Sequence, residues 1–212
     1  MIRFVYFDLG NVIVYFSVPC MLQQVNEIAD MKELTEKRLA ELIFGSGLEC
    51  RLECGEISEL EFYEEFKKLL GKEIPLPSLK KAMTDIFTPN ASILPVMEQL
   101  SQANIPCGIL SNTSTGHWNH CKTAYPLIHQ LVPTNHVLSF EVGAMKPNRA
   151  IYEAAMRQAA EAVDGIQTSE VLFIDDLETN IAAARDFGFD AILYTETPAL
   201  LDELQQRGLP IH

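Results

Sequence analysis

Residues 3–10, R-F-V-Y-F-D-L-G, constrain the fold of this chain more than any other stretch. An apolar run ends abruptly in one carboxylate, Asp8, beside Gly10 and a short polar turn. Open α/β sheets hold their ligands where buried strands deliver such groups to the carboxyl edge. The pattern recurs at residues 171–176, V-L-F-I-D-D, now with the paired acids Asp175 and Asp176. Two apolar strands ending in carboxylates point to a shared divalent-cation site, because hard cations such as Mg²⁺ take oxygen ligands.

The rest of the chain supplies the context for such strands. Segments rich in β-branched and aromatic residues fall at 2–9, 106–110, 137–140, 171–175 and 191–194. Helical periodicity precedes or separates the last four, over 92–103, 148–160 and 178–187. This alternation implies βαβ units and a parallel sheet, an α/β fold. Thr197-Pro198 opens a final helix, with proline at its first position and Gly208 near its end.

Residues 15–89 break that rhythm with amphipathic helical patterns and no convincing strand. The clearest helix opens at Ser58, whose capping box closes with Glu61, while Ile57 can staple against Phe62. Phe62, Phe66 and Leu69 form its apolar stripe and Gly71 ends it. The chain therefore divides into a core of residues 1–14 and 90–212 and an inserted all-helical cap, 15–89. Linkers near 15–18 and 88–90 would be the hinges of that cap.

Composition narrows the function classes. A length of 212 residues, 48% of them hydrophobic, suffices for a sizeable core. The net charge of −13 and the lack of a basic stripe argue against nucleic-acid binding. No apolar run reaches membrane-spanning length, and the opening Met1-Ile-Arg-Phe enters a strand, so a cytoplasmic location is expected. Cys20, Cys50, Cys54, Cys107 and Cys121 form an odd, scattered set that reads as reduced.

Four places carry chemistry: Asp8, then Ser111-Asn112 at a strand end, then Lys146-Pro147, then Asp175-Asp176 with Asn180 following. Singly, each has an ordinary reading as a turn, a helix cap or a solvated charge. In this order, at strand ends of one parallel sheet, they make a coherent site. A carboxylate can attack phosphorus to form an acyl phosphate. A metal then neutralises charge between nucleophile and phosphoryl group, while Ser111 and Lys146 donate to phosphoryl oxygens. Asp175 and Asp176 are the candidates to hold the metal, with Asn180 orienting them.

On F-D-L-G-N-V at 7–12, L-S-N-T at 110–113, G-A-M-K-P at 143–147 and F-I-D-D-L-E-T-N at 173–180, the chain resembles the haloacid dehalogenase superfamily. The match is to its phosphatase-type members with a helical cap after the first strand, and it spans essentially the whole chain. The resemblance implies a Rossmann-like three-layer core, Asp8 as nucleophile, and Ser111, Asn112 and Lys146 around the phosphate. It implies Mg²⁺ on Asp8, Asp176 and the Gly10 carbonyl, with Asp175 bound directly or through water. The expected partner is a small phosphorylated metabolite such as a sugar phosphate, and neither nucleic acid nor membrane.

One position departs from the family pattern. Its usual general acid and base, an Asp two residues past the nucleophile, is here Gly10. The D-L-G-N opening is similar to that of an α-D-glucose-1-phosphate phosphatase-like subset, which implies that the loss does not by itself abolish catalysis. Two alternatives stand beside the phosphatase: a 2-haloacid dehalogenase using Asp8, and a low-activity binding protein lacking the acid at Gly10. The adjacent acids argue against the first, since without a cation they would repel one another.

Weaker features complete the reading. His117-x-x-His120-Cys121, and Cys50 with Cys54, lack a full zinc set and read as packing or surface residues. His117 and Trp118 are candidates for the entrance to the site, and Trp118 equally for the core. Glu49, Arg51 and Glu53 are candidates for cap residues facing Asp8. Glu56, Glu59, Glu61, Glu64 and Glu65 read as one solvated helical face.

Overall fold

The structure, a computed structural model, describes residues 1–31 and 34–212. Five parallel strands form the central sheet: β1 (Phe4–Phe7), β4 (Cys107–Ser111), β5 (His136–Leu138), β6 (Val171–Asp175) and β7 (Asp190–Leu193), in spatial order β5-β4-β1-β6-β7. Two further strands, β2 (Val14–Phe16) and β3 (Phe87–Pro89), pair antiparallel outside it. The chain passes from β1 to one side of the sheet and returns to the other, so β1 sits where the strand order reverses.

Side-chain alternation divides the core in two. Phe4 and Tyr6 of β1 pack with Phe173 under α10 (Arg149–Ala162) and α11 (Glu178–Phe187). Val5 and Phe7 pack on the other face with Ile109, Ile174 and residues of α6 (Leu94–Gln102), α7 (Thr115–Ala124), α8 (Pro126–Leu131) and α12 (Thr197–Gln206). All four β1 residues are fully buried, as a strand covered on both faces requires. This is a three-layer α/β arrangement of the Rossmann-like kind. Gly108 in β4 is set by the same packing: a Cβ there would lie 2.4 Å from the Tyr6 ring.

Between β2 and β3 lie α1 (Val18–Ala29), α2 (Glu36–Ala40), a π-helical turn (Glu41–Gly45), α3 (Leu48–Glu53), α4 (Glu59–Leu70) and α5 (Leu76–Thr84). They share a separate apolar cluster that includes Val25, Leu39, Ile43, Phe66 and Ile74. The Ser58–Glu61 capping box is present at the start of α4, and Gly71 ends that helix in the left-handed conformation. Its buried stripe runs through Phe62, Tyr63, Phe66 and Leu70, whereas Leu69 is 46% exposed. The i, i+4, i+8 line through 62, 66 and 70 wins, and Leu69 falls beside it.

Three further sequence expectations are corrected. The segments expected to be hinges pair as the β2–β3 ribbon, with Tyr15 opposite Thr88 and Phe16 opposite Phe87. Pro89 escaped strand recognition because proline signals a break, yet a two-stranded edge tolerates it. The strand expected at 137–140 ends at Leu138, because Ser139 begins α9 (Ser139–Val142). The acidic residues 56–65 are also not simply solvated: Glu59 pairs with Lys80, Glu65 with Arg51 and Glu64 with Lys67.

The inserted helices meet the core closely just after α3. Gly55 has φ +68°, and a Cβ on it would lie 2.2 Å from the Phe140 carbonyl oxygen. Gly55→Ala therefore carries about 1–2 kcal/mol of left-handed backbone cost in addition to this clash. It is expected to lower the urea midpoint measurably, and an unchanged midpoint would contradict the close approach.

Candidate active site

The sheet register brings the candidate residues to one edge. Phe7 pairs with Ile109 on one side and Ile174 on the other, so Asp8, Ser111 and Asp175 leave neighbouring strands together. Asp8 is fixed first by its backbone, whose N–H donates to the Ile174 carbonyl at 2.8 Å. Its Oδ1 accepts from the Leu9 N–H at 2.6 Å and lies 2.9 Å from Lys146 Nζ. No described residue donates to its Oδ2.

Lys146 holds the site together. Its ammonium bridges Asp8 and Asp175, at 2.9 and 2.7 Å, and donates to the Leu110 carbonyl at 3.1 Å. Asn112 secures the lysine backbone from both sides, accepting from its N–H at 2.7 Å and donating to its carbonyl at 3.0 Å. The Asn112 amide is thus a positioning group for Lys146. Ser139, fully buried, accepts from the Thr113 N–H and donates to the Thr113 carbonyl, which fixes the loop after β4.

The two adjacent acids have different surroundings. Asp175 is wholly buried, and both its oxygens are engaged: Oδ2 by Lys146 and Oδ1 by the Leu177 N–H, with the Asn180 amide spanning the two. Asp176 lines the cavity and accepts from the Asn11 amide at 3.0 Å. Asn11 adopts φ +55°, a left-handed conformation that asparagine tolerates better than most residues. Asp8, Asp175 and Asp176 each offer an oxygen within 4.8 Å of the others. Among the described residues this is the cluster of a kind that can hold a metal ion.

Charge in this pocket is finely opposed. Burial pushes the Asp8 carboxyl up to about 7; Lys146 pulls it down, while Asp175 and Asp176 raise it further. The lysine cannot hold Asp8 lower because it is shared with Asp175. Burial would itself lower the Lys146 ammonium, but Asp8 and Asp175 outweigh it and hold the group charged.

These groups open on a cavity of about 270 Å³ between the sheet edge and the inserted helices. Gly10 and Ser111 reach it from the core, and Phe16, Met21, Phe44, Glu49 and Glu53 reach it from the ribbon and the insert. Arg51 is absent from its wall and pairs instead with Glu65 of α4 at 2.6 Å. Residues 49 and 53 share one helical face, and 51 lies on the other. His117 reaches the cavity, whereas Trp118 is buried in the core against His136. The residues that sequence reasoning missed are Asn11 and Phe16; only the adjacency of Asn11 to the D-L-G turn could have signalled it.

A family model for haloacid dehalogenase-like hydrolases matches residues 2–188. The fold is similar to a HAD-like family hydrolase from Porphyromonas gingivalis, 25% identical over 97% of this chain and 98% of that one, with a TM-score of 0.79. It is similar also to a HAD family enzyme from Bacteroides thetaiotaomicron in complex with magnesium and inorganic phosphate, at 23% identity, coverages of 92% and 95%, and a TM-score of 0.78. An L-2-haloacid dehalogenase from Xanthobacter autotrophicus shares the fold at 17% identity, coverages of 97% and 83%, and a TM-score of 0.61. No curated protein matches the chain.

Lys146→Met leaves two buried carboxylates facing one another without their cation. Removing one partner of a buried pair costs about 3–5 kcal/mol. Asp8, whose folded carboxyl lies above its unfolded value, is most costly when ionised, so its contribution to stability falls as pH rises through about 7. Without Lys146 the Asp8 carboxyl moves still higher, so the deficit of the variant against the parent should grow as pH rises from 7 to 9 in urea titrations. A deficit independent of pH would contradict the electrostatic account.

Proposed function

The chain belongs to the haloacid dehalogenase-like hydrolases, and on that premise we propose that it is a Mg²⁺-dependent phosphatase of small phosphate monoesters. The observation that carries this reading is the charge balance at the sheet edge. Three carboxylates, Asp8, Asp175 and Asp176, meet one ammonium, Lys146. That excess of hard oxygen donors fits a divalent cation and suits a halide-releasing site poorly. The magnesium and phosphate complex of the Bacteroides enzyme supports the same chemistry on this fold.

In this proposal Asp8, Asp176 and the Gly10 carbonyl hold the cation, and Asp175, whose oxygens are occupied, holds Lys146. The bound cation would supply charge neutralisation between the carboxylate and the phosphoryl dianion. A carboxylate oxygen of Asp8 attacks phosphorus and the ester oxygen leaves, giving an aspartyl phosphate that water then hydrolyses. Lys146 and the Ser111 hydroxyl, both buried at the cavity floor, stabilise the phosphoryl oxygens.

The cavity also limits the leaving group. Lys146 is the one permanently cationic side chain on its described wall, and it is already committed to Asp8 and Asp175. A substrate bearing a second phosphate or a carboxylate would find no counter-charge there. Apolar Phe16, Met21, Phe44 and Phe87 with polar Glu49 and Glu53 suit a neutral, hydroxyl-bearing group of sugar size.

Phosphatase assays on small phosphate esters should show activity that a chelator abolishes and Mg²⁺ restores. Asp8→Asn should remove it by at least about 10³-fold while leaving the circular dichroism unchanged, and Asp176→Ala should lower rate and metal affinity together. Chelator-insensitive turnover, or a folded Asp8→Asn protein with parental activity, would overturn the reading.

Thermal melts supply a test independent of turnover. Because Asp8 must be ionised to bind a cation and titrates near 7, the stabilisation by Mg²⁺ should grow from pH 5 to pH 8. A Mg²⁺ shift that is largest at pH 5 would speak against Asp8 as a ligand.

A further inference from the structure

Phosphate-ester hydrolysis through Asp8 needs a proton for the departing oxygen, and Gly10 has none to give. The described wall of the cavity contains six titratable side chains: Asp8, Glu49, Glu53, His117, Lys146 and Asp176. Asp8, Lys146 and Asp176 are engaged in nucleophile, phosphate and cation binding. The half-buried His117 ring lies with Nε2 3.1 Å from the Met83 carbonyl, which can only accept, so its proton is directed away from the cavity. Burial also drives that imidazole down to about 4, leaving it neutral. Two glutamates of α3 remain.

They are not equivalent. Glu53 is the last residue of α3, at the end of the helix that Gly55 packs against Phe140 of the core. Cys50, on the same helix, lies 3.8 Å from Met145, the residue before Lys146. Glu53 feels the charges of both Asp8 and Lys146, whereas Glu49 responds to burial alone. Neither carboxyl has a hydrogen-bonding or ion-pairing partner among the described residues. A half-buried carboxyl without a partner is costly to maintain unless a ligand completes it.

Resting on the phosphatase reading, we propose that Glu53 is the general acid and base of this site, supplied by the insert in place of the acid absent at Gly10. In the first step an Asp8 oxygen bonds to phosphorus, and the bridging P–O bond breaks. Its electron pair stays on the ester oxygen, which takes the Glu53 proton and leaves as the alcohol. In the second step a water oxygen bonds to phosphorus and the Asp8–phosphorus bond breaks. The proton of that water returns to Glu53, so one water is consumed per ester cleaved. Burial, then the neighbouring charges of Glu49 and Asp8 against that of Lys146, push the Glu53 carboxyl up to about 8, which keeps a proton available at neutral pH. Gly10 has an ordinary backbone conformation, and a Cβ on it would meet only the edge of the 40%-exposed Phe16 ring, at 3.0 Å. An acid can therefore be restored there.

The test compares 4-nitrophenyl phosphate, which needs little proton assistance, with glycerol phosphate, which needs much. Glu53→Gln should cut the rate on glycerol phosphate by about 10²-fold or more, and the rate on the aryl ester by far less. Glu53→Ala should give the same split, so a folding defect in either variant does not decide the matter. Adding Gly10→Asp to Glu53→Gln should recover at least about tenfold on glycerol phosphate. Equal losses on both esters in a folded variant, or no loss on either, would overturn the role of Glu53 while leaving the phosphatase reading intact. A parent protein inactive on both esters with Mg²⁺ would instead overturn the phosphatase reading itself.

Discussion

The bridge from Lys146 to Asp8 and Asp175 is the interaction on which the site depends. One ammonium, nearly inaccessible, faces two carboxylates that strands β1 and β6 hold side by side. Neither carboxylate can leave, because each is anchored through its own backbone or through main-chain donors. The lysine cannot leave either, because Asn112 grips its peptide from both sides. Such a constellation is expensive to bury and rigid once formed, the preorganisation that electrostatic catalysis requires. Asp175 serves the lysine, and this frees Asp176 and the remaining oxygen of Asp8 to face the cavity.

Much of this was legible in the sequence because strand-end chemistry leaves a linear trace. A parallel sheet buried on both faces reads as continuous apolar runs, and the acid that follows each run marks the carboxyl edge. Asp8, Ser111, Asp175 and Asp176 are visible in this way and Lys146 by its own motif; the structure gathers Asp8, Ser111, Lys146 and Asp176 around one cavity and buries Asp175 behind the lysine. The β2–β3 ribbon is not visible, since strands of three residues, one of them ending in proline, carry no period. Nor was the divergence between Asp175 and Asp176, which depends on Lys146 and Asn180 approaching from elsewhere in the chain. The sorting of Glu49 and Glu53 from Arg51 needed only helical phase, but a helix of six residues gives too little pattern to fix that phase in advance.

The insert and the core divide the work by physical type. The core contributes Asp8, Ser111 and Asp175, set at the ends of neighbouring strands of one sheet. The insert contributes a largely apolar wall with two carboxyls, carried on short helices that have their own small core. Ribbon and close packing join the two at separate places: Phe16 pairs with Phe87 at one, and Gly55 abuts Phe140 at the other. Asn90, buried, ties the ribbon back to the core through the Val12 carbonyl and the Tyr194 hydroxyl.

The central position of β1 has a kinetic consequence. Val5 pairs with Cys107 on one side and Leu172 on the other, so the first strand of the chain completes its pairing only with segments made much later. Contacts of such long range are slow to form, because loop closure must precede the energy they return. During synthesis Asp8 emerges before Lys146, and both emerge before the acids Asp175 and Asp176 that complete the cluster. Assembly of the site is thus coupled to the late steps of folding, and a nascent chain lacking β6 holds an apolar strand with one edge open. Such a strand is a hazard for aggregation, and rapid docking of the last βα units is what closes it.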